Sequence, residues 1–145
     1  MTTVKDILDV KGTRVWTIGP TATVIEALKI MADKSVGALV VIEKDRVVGI
    51  VSERDYARKV ALEKKNSLDT PVKDIMTSPV YCVHRDTTAD ECMALMTEKH
   101  IRHLPVCEKN KLAGVVSIGD IIKSIMIAQK ITIENLQNYI MGKYL

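Results

Sequence analysis

The sequence predicts a mixed α/β fold (α+β) in which two copies of a strand-helix-strand-strand-helix unit pack about a pseudo-twofold axis, with an extra helix at the C-terminal end. The first observation behind this is a duplication. Sliding the 145 residues against themselves by 65 positions aligns Val15 with Val80, Thr23 with Thr88, Glu26 with Glu91, Met31 with Met96 and Leu39 with Leu104. The same offset superposes Gly49-Ile50-Val51-Ser52-Glu53-Arg54-Asp55 on Gly114-Val115-Val116-Ser117-Ile118-Gly119-Asp120, while Val4 to Leu8 matches Val72 to Met76 at an offset of 68. The first copy therefore carries three extra residues near Lys11 to Arg14. The second observation is that helical-period segments and β-branched runs follow one another in the same order in each copy. The third is size: a copy of about 60 residues buries too little surface to be robust alone, so the two must pack on each other.

Thr3-Val4-Lys5-Asp6 has the pattern of a helix capping box and predicts a short helical turn over residues 3–8. Val15 to Ile18 reads as a brief strand closed by Gly19-Pro20. Val24, Ala27, Leu28, Met31 and Ala32 recur at helical spacing behind a second capping box, Thr23 with Glu26, and predict a helix over 22–34. Gly37 to Ile42 is an apolar run with the look of a doubly buried strand. The charged turn at 43–46 reverses the chain into a strand over Val47 to Ser52, and a helix follows from Glu53 to Leu62. The polar stretch Glu63 to Pro71 links the copies, with Thr70 expected to cap a helix that has Pro71 in its first turn. The second copy then predicts a strand at Val80 to Val83, a helix at Thr88 to Lys99, strands at Arg102 to Cys107 and Leu112 to Ser117, and a helix from Gly119 to Gln129. Ile133, Leu136, Ile140 and Met141 place a further amphipathic helix over Thr132 to Tyr144, suited either to a dimer contact or to covering the chain's own core. These readings divide the chain into residues 1–66, 67–128 and an extension at 129–145.

Composition excludes several function classes. With 47% hydrophobic and 27% charged residues the chain is ordinary and globular. Its net charge of +3 is spread among alternating acids and bases, and it contains no Phe and one Trp, so it offers no aromatic platform for single-stranded nucleic acid. The basic run Arg54, Arg58, Lys59, Lys64 and Lys65 is interrupted by Asp55 and Glu63, which ranks a nucleic-acid role lowest. No apolar run is long enough to span a membrane and no signal-peptide pattern opens the sequence, so the expectation is a cytoplasmic protein. Cys82, Cys92 and Cys107 are odd in number and lack metal spacing, as expected of buried free thiols. His100 and His103 have a metal-like spacing but no third ligand nearby, and no metal is expected. Gly114 and Gly119 mimic a phosphate loop, yet Asp120-Ile121 stands where Lys and Ser or Thr are required. No common hydrolase or dinucleotide motif is present, so the chain is not read as an enzyme.

The repeated Gly-x-x-Ser-x-x-Asp segments, the Leu104-Pro105-Val106 strand and the order of elements resemble a tandem pair of CBS domains, the module named after cystathionine β-synthase and also called a Bateman module. The resemblance covers residues 3–128. It implies a regulatory module that binds adenine nucleotides, usually AMP, ADP or ATP and sometimes NAD(H) or S-adenosylmethionine. It also implies that Ser52, Asp55, Ser117 and Asp120 face the ligand, each Asp holding ribose hydroxyls, and that Arg102 and His103 face phosphates. Val36, Gly37, Ala38 and Ile101 would line the base, with Pro105 nearby.

The chemistry of these residues points the same way, because a carboxylate at a helix start can accept both hydroxyls of a ribose and the helix N-terminus favours an anion. Arg54 adds a charge beside Asp55 where Gly119 adds none. The Arg102-His103 pair corresponds to the uncharged Gly37-Ala38, so two unequal clefts are expected, one polar and one with small walls. Against the ligand reading stands a simpler one: Ser52-x-x-Asp55 and Ser117-x-x-Asp120 also match capping boxes, and Arg102 and His103 also suit a solvated strand end. The reading reached is a stand-alone nucleotide-sensing module, a homodimer acting on an effector protein. The alternative is a dimerisation module that needs no ligand.

Overall fold

Serine or threonine caps each helix start in the computed structural model, which describes residues 1–142. The first copy comprises α1 (Val4–Lys11), β1 (Thr17–Ile18), α2 (Val24–Lys34), β2 (Ala38–Glu43), β3 (Arg46–Ser52) and α3 (Glu53–Tyr56). The second comprises a 3₁₀ turn (Val72–Asp74), α4 (Ala89–Lys99), β4 (His103–Glu108), β5 (Lys111–Ser117) and α5 (Ile118–Ile140). Reciprocal capping boxes open all the α-helices: Thr3 with Asp6, Thr23 with Glu26, Ser52 with Asp55, Thr88 with Glu91 and Ser117 with Asp120. Both hairpins turn through two left-handed residues, Lys44-Asp45 and Lys109-Asn110, the backbone that a two-residue turn between twisted strands requires. The registers repeat as well. Ala38 faces Ser52 as His103 faces Ser117, and each ladder shifts at the equivalent point, after Val41 and after Val106.

The copies are joined by an exchange of their leading segments. Val4, Ile7 and Leu8 of α1 are buried among Val83, Cys92, Met96, Leu104, Val106, Val116 and Ile121 of the second copy. Reciprocally, Val72 and Ile75 are buried among Ile18, Val24, Met31, Leu39, Val51 and Val60 of the first. Matching backbone bonds fix each exchange. The Val4 amide donates to the Thr87 carbonyl at 2.8 Å and the Val72 amide to the Ala22 carbonyl at 2.8 Å. Each core is thus completed by the other copy, which is how two units of marginal size reach a stable whole.

Several local expectations are corrected. The second copy has no strand at Val80 to Val83; only Val83 bridges to Val106. In the first copy the Val40 amide donates to the Trp16 carbonyl, whereas Pro105 at the equivalent position has no N–H to give, and the pairing shrinks to a single bridge. Thr70 caps no helix: its hydroxyl donates to the Asn66 carbonyl, and Pro71 is extended (φ −75°, ψ 151°) and bridged to Thr23 ahead of the 3₁₀ turn. The helix after Ser52 passes into a π-helical turn at Ala57–Ala61. The two C-terminal helices are one, α5, 23 residues long. No Gly or Pro interrupts residues 120–141, and Gly142, at φ +69°, follows the helix. The Tyr144 end of the expected tail helix lies outside the described residues. Cys92 and Cys107 are buried free thiols as expected, but Cys82 is exposed.

Leu8 is 2% exposed and fills the space beside Gly114. Leu8→Ala is expected to lower unfolding free energy by about 2–5 kcal/mol in a urea titration. A loss below about 1 kcal/mol would show that α1 is not part of the second copy's core.

Candidate functional site

A cavity of about 370 Å³ opens between the copies, within the size range of small-molecule sites. Its walls are mixed. The first copy supplies Val15 and Trp16 before β1, Ser35, Val36 and Gly37 ahead of β2, Ala38, Leu39 and Val40 on β2, and Ile50 on β3. The second supplies His103 at the start of β4, and Val115 and Ser117 on β5. Lys11, the last residue of α1, and Arg14, from the segment that follows it, complete the lining. One side is therefore apolar and the other cationic.

Asp120 stands at the cationic side. Its Oδ2 accepts the Ser117 amide at 2.8 Å and the Lys11 Nζ at 2.6 Å, and Lys11 also donates to the Val115 carbonyl at 2.8 Å. Burial alone would raise this carboxyl, but the bonds from Lys11 and Ser117 outweigh it and hold Asp120 below the ordinary carboxylate range. Both of these bonds fall on Oδ2. His103 is shifted down from its ordinary 6.5, first by burial and then by the charge of Lys11. It is therefore a neutral imidazole at pH 7, a hydrogen-bonding group rather than a cation.

The counterpart of Asp120 is placed differently. Asp55 is only 8% exposed, and its Oδ2 accepts both the amide and the hydroxyl of Ser52. Its Oδ1 lies 3.1 Å from Lys59 Nζ and 3.5 Å from the Thr77 hydroxyl. Lys59 is further tied to the Ile75 carbonyl at 2.9 Å. Thr77 follows the 3₁₀ turn as Lys11 ends α1, so each aspartate is met by the leading segment of the other copy. The leading segments differ in what they bring, a hydroxyl to Asp55 and an ammonium to Asp120, although Lys59 of its own copy also meets Asp55.

Of the residues singled out from sequence, Val36, Gly37, Ala38, His103 and Ser117 line this one cavity, and Asp120 joins them through Lys11. The expectation that Gly37-Ala38 and His103 belong to separate clefts is corrected. A Cβ built on Gly37 would lie 4.0 Å from His103 Cε1, because both sit beside the pseudo-twofold axis. Ser52 and Asp55 lie on the opposite side with Arg54, whose guanidinium reaches the His100 carbonyl at 3.5 Å. Arg102 is exposed and gives its carbonyl to the Ile118 amide, Ile101 packs against the second core, and Pro105 is buried within β4. The capping boxes weighed against a ligand role are both present, and capping leaves Asp120 reachable. Lys11, Arg14 and Trp16 were not singled out from sequence. The signal for the first two was legible, since they bracket the three-residue insertion that breaks the duplication.

The structure is a duplicated α+β pair with a cleft between its halves, in which the leading segment of each half meets the aspartate of the other. The chain belongs to the CBS domain family, which it matches twice, at residues 3–62 and 72–127. It is 37% identical to the mitochondrial CBS domain-containing protein CBSX3 of Arabidopsis thaliana, over 99% of this chain and 74% of that protein. A CBS-domain containing protein from Agrobacterium tumefaciens superposes with a TM-score of 0.81 at 40% identity, covering 85% of this chain and 98% of that one. The CBS domain pair of protein MJ0100, solved in complex with 5′-methylthioadenosine and S-adenosyl-L-methionine, superposes with a TM-score of 0.76 at 28% identity, covering 90% and 98%.

The depressed His103 carries a pH signature. Its folded pKa lies below its unfolded one, so its contribution is complete above pH 6.5 and is lost as pH falls, while the unfolded chain takes up the proton first. Chemical denaturation between pH 7.5 and 5 should show stability declining with acidification, and His103→Gln should flatten that decline. An unchanged slope in the variant would remove His103 as its source.

Proposed function

We propose that this chain is a regulatory module that binds an adenine nucleotide, AMP, ADP, ATP or NAD(H), in inequivalent clefts between its two copies, and that it is not an enzyme. The observation that carries this reading is one cavity with an apolar wall, Val36 to Val40 with Ile50, and two basic side chains, Lys11 and Arg14, the first of them ion-paired to a carboxylate at a helix start, Asp120. An apolar base, a vicinal diol and an anionic group have that same sequence of chemistries. The complex of MJ0100 with two adenosine derivatives supports an adenosine-type ligand here. Ligand held by both copies would shift their relative packing and change the surface offered to an effector protein. Burial pushes the thiols of Cys92 and Cys107 up, to about 11 and about 12, which keeps both protonated and unreactive.

Thermal-shift titrations with AMP, ADP, ATP, NAD(H) and S-adenosylmethionine test the proposal. A ligand at a hundred times its Kd adds about 2.7 kcal/mol of stability. Asp120→Ala should weaken binding by about ten- to a hundredfold, the loss of one charge-assisted bond. No response to any of these ligands would sink the proposal. If Asp55→Ala and Asp120→Ala lower the stability of the free protein yet leave binding intact, the two aspartates only cap.

A second reading, self-association independent of ligand, is favoured by α5. Ile122, Met126, Ile133, Leu136 and Ile140 recur on one face of this helix and are 43–81% exposed. Spacings of three, four and seven match a coiled-coil seam, with β-branched and Leu residues alternating in its second half. We propose that two copies of the chain meet along this face. Sedimentation velocity should then show a dimer that Ile133→Glu with Leu136→Glu converts to monomer; a monomeric wild type would end this reading.

A further inference from the structure

The insertion that breaks the duplication places a lysine on the carboxylate meant for a ligand, and this has a chemical consequence. Asp120 Oδ2 already carries two hydrogen bonds, from the Ser117 amide and from Lys11. A carboxylate oxygen has two lone pairs, so a diol that takes both oxygens must displace one donor. The Ser117 amide is fixed by the capping box at the start of α5, whereas Lys11 Nζ ends a flexible side chain that is 32% exposed. Lys11 is the donor that moves. The released ammonium then needs another anion, and Arg14 beside it on the rim adds a second positive charge with no acidic side chain lining the cavity among the described residues.

We propose that Lys11 is the specificity-determining residue of the Asp120 cleft, exchanging Asp120 for the ligand's own phosphate and so restricting the cleft to phosphorylated nucleosides. The inference rests on the nucleotide reading above. A neutral nucleoside takes Asp120 from Lys11 and returns nothing, leaving the ammonium with the Val115 carbonyl alone. A nucleoside bearing a sulfonium adds a positive charge to Lys11 and Arg14. A nucleoside phosphate replaces the lost ion pair with a new one. On the Asp55 side Thr77 stands where Lys11 would be, and the lysine that meets the carboxylate, Lys59, comes from the same copy as Asp55 and also donates to the Ile75 carbonyl of the other copy. The exchange is assigned to Lys11 and Asp120 because Lys11, unlike Lys59, lines the cavity. The exchange also pulls on the end of α1, whose other residues form part of the second core, and so couples phosphate binding to the join between the copies.

Isothermal titration of AMP, adenosine and S-adenosylmethionine into the wild type, Lys11→Met, Lys11→Arg and Asp120→Asn tests this, with binding lost in Asp120→Asn marking the cleft concerned. The wild type should prefer AMP to adenosine there by at least about tenfold, the equivalent of about 1.4 kcal/mol. Lys11→Met should reduce that preference to about threefold or less, chiefly by tightening adenosine, and Lys11→Arg should keep it. A preference unchanged in Lys11→Met, or adenosine binding the wild type as tightly as AMP, would overturn the role of Lys11 while leaving the nucleotide reading intact. Failure of all three ligands to bind the wild type would overturn the nucleotide reading, and the role of Lys11 with it.

Discussion

The exchange of leading segments between the two copies is the contact on which the remaining structure depends. Val4, Ile7 and Leu8 close one core and Val72 and Ile75 close the other, so neither β-α-β-β-α unit has a complete interior by itself. The arrangement follows from size. A unit of about 60 residues buries only about 60% of its unfolded surface, and lending a helical turn to the neighbour extends both cores at once. The same exchange fixes where the chain next travels. After α1 it must return from the second copy to the first, and it does so along the mouth of the cleft, carrying Lys11 and Arg14 past Asp120. After the 3₁₀ turn it makes the reverse journey, and Thr77 passes Asp55. The chemistry of each aspartate is thus a by-product of how the copies are held together.

The two aspartates show how one motif supports two roles. In both copies the Ser-x-x-Asp segment completes a capping box, which fixes the serine and aspartate side chains against the first turn of a helix. Capping orients the carboxylate without consuming it. What differs is its surroundings. Asp55 is enclosed by Lys59 and Thr77 and is nearly inaccessible, whereas Asp120 is more exposed and is ion-paired to Lys11, which lines the cavity. The same Ser-x-x-Asp motif therefore yields a tightly enclosed carboxylate in one copy and a more exposed one in the other.

Much of the fold was legible because the signals were local and occurred twice. Capping residues, a charged turn and β-branched runs located the start of every α-helix and the strands of each hairpin. The errors have local causes too. Pro105 removed one ladder bond and with it the second copy's first strand, and the absence of any Gly or Pro across residues 120–141 let two expected helices run together as α5. The site was half legible. Val36, Gly37, Ala38, His103, Ser117 and Asp120 converge, but their division between clefts was misread, since sequence offset cannot show that Gly37 and His103 approach each other across a pseudo-twofold axis.

The sequence by itself determined the duplication, the helix and strand order, the caps and the residue types able to hold a diol, because each of these depends on neighbours within a few positions or on comparing one half of the chain with the other. It also marked the insertion at Lys11 to Arg14 without revealing its destination. Only the tertiary structure decided that α1 belongs to the opposite core, that Lys11 lands on Asp120 more than a hundred positions away, and that the walls of one copy face the carboxylate of the other. Those contacts join residues distant in sequence, set by how apolar faces bury one another, and no local pattern encodes them.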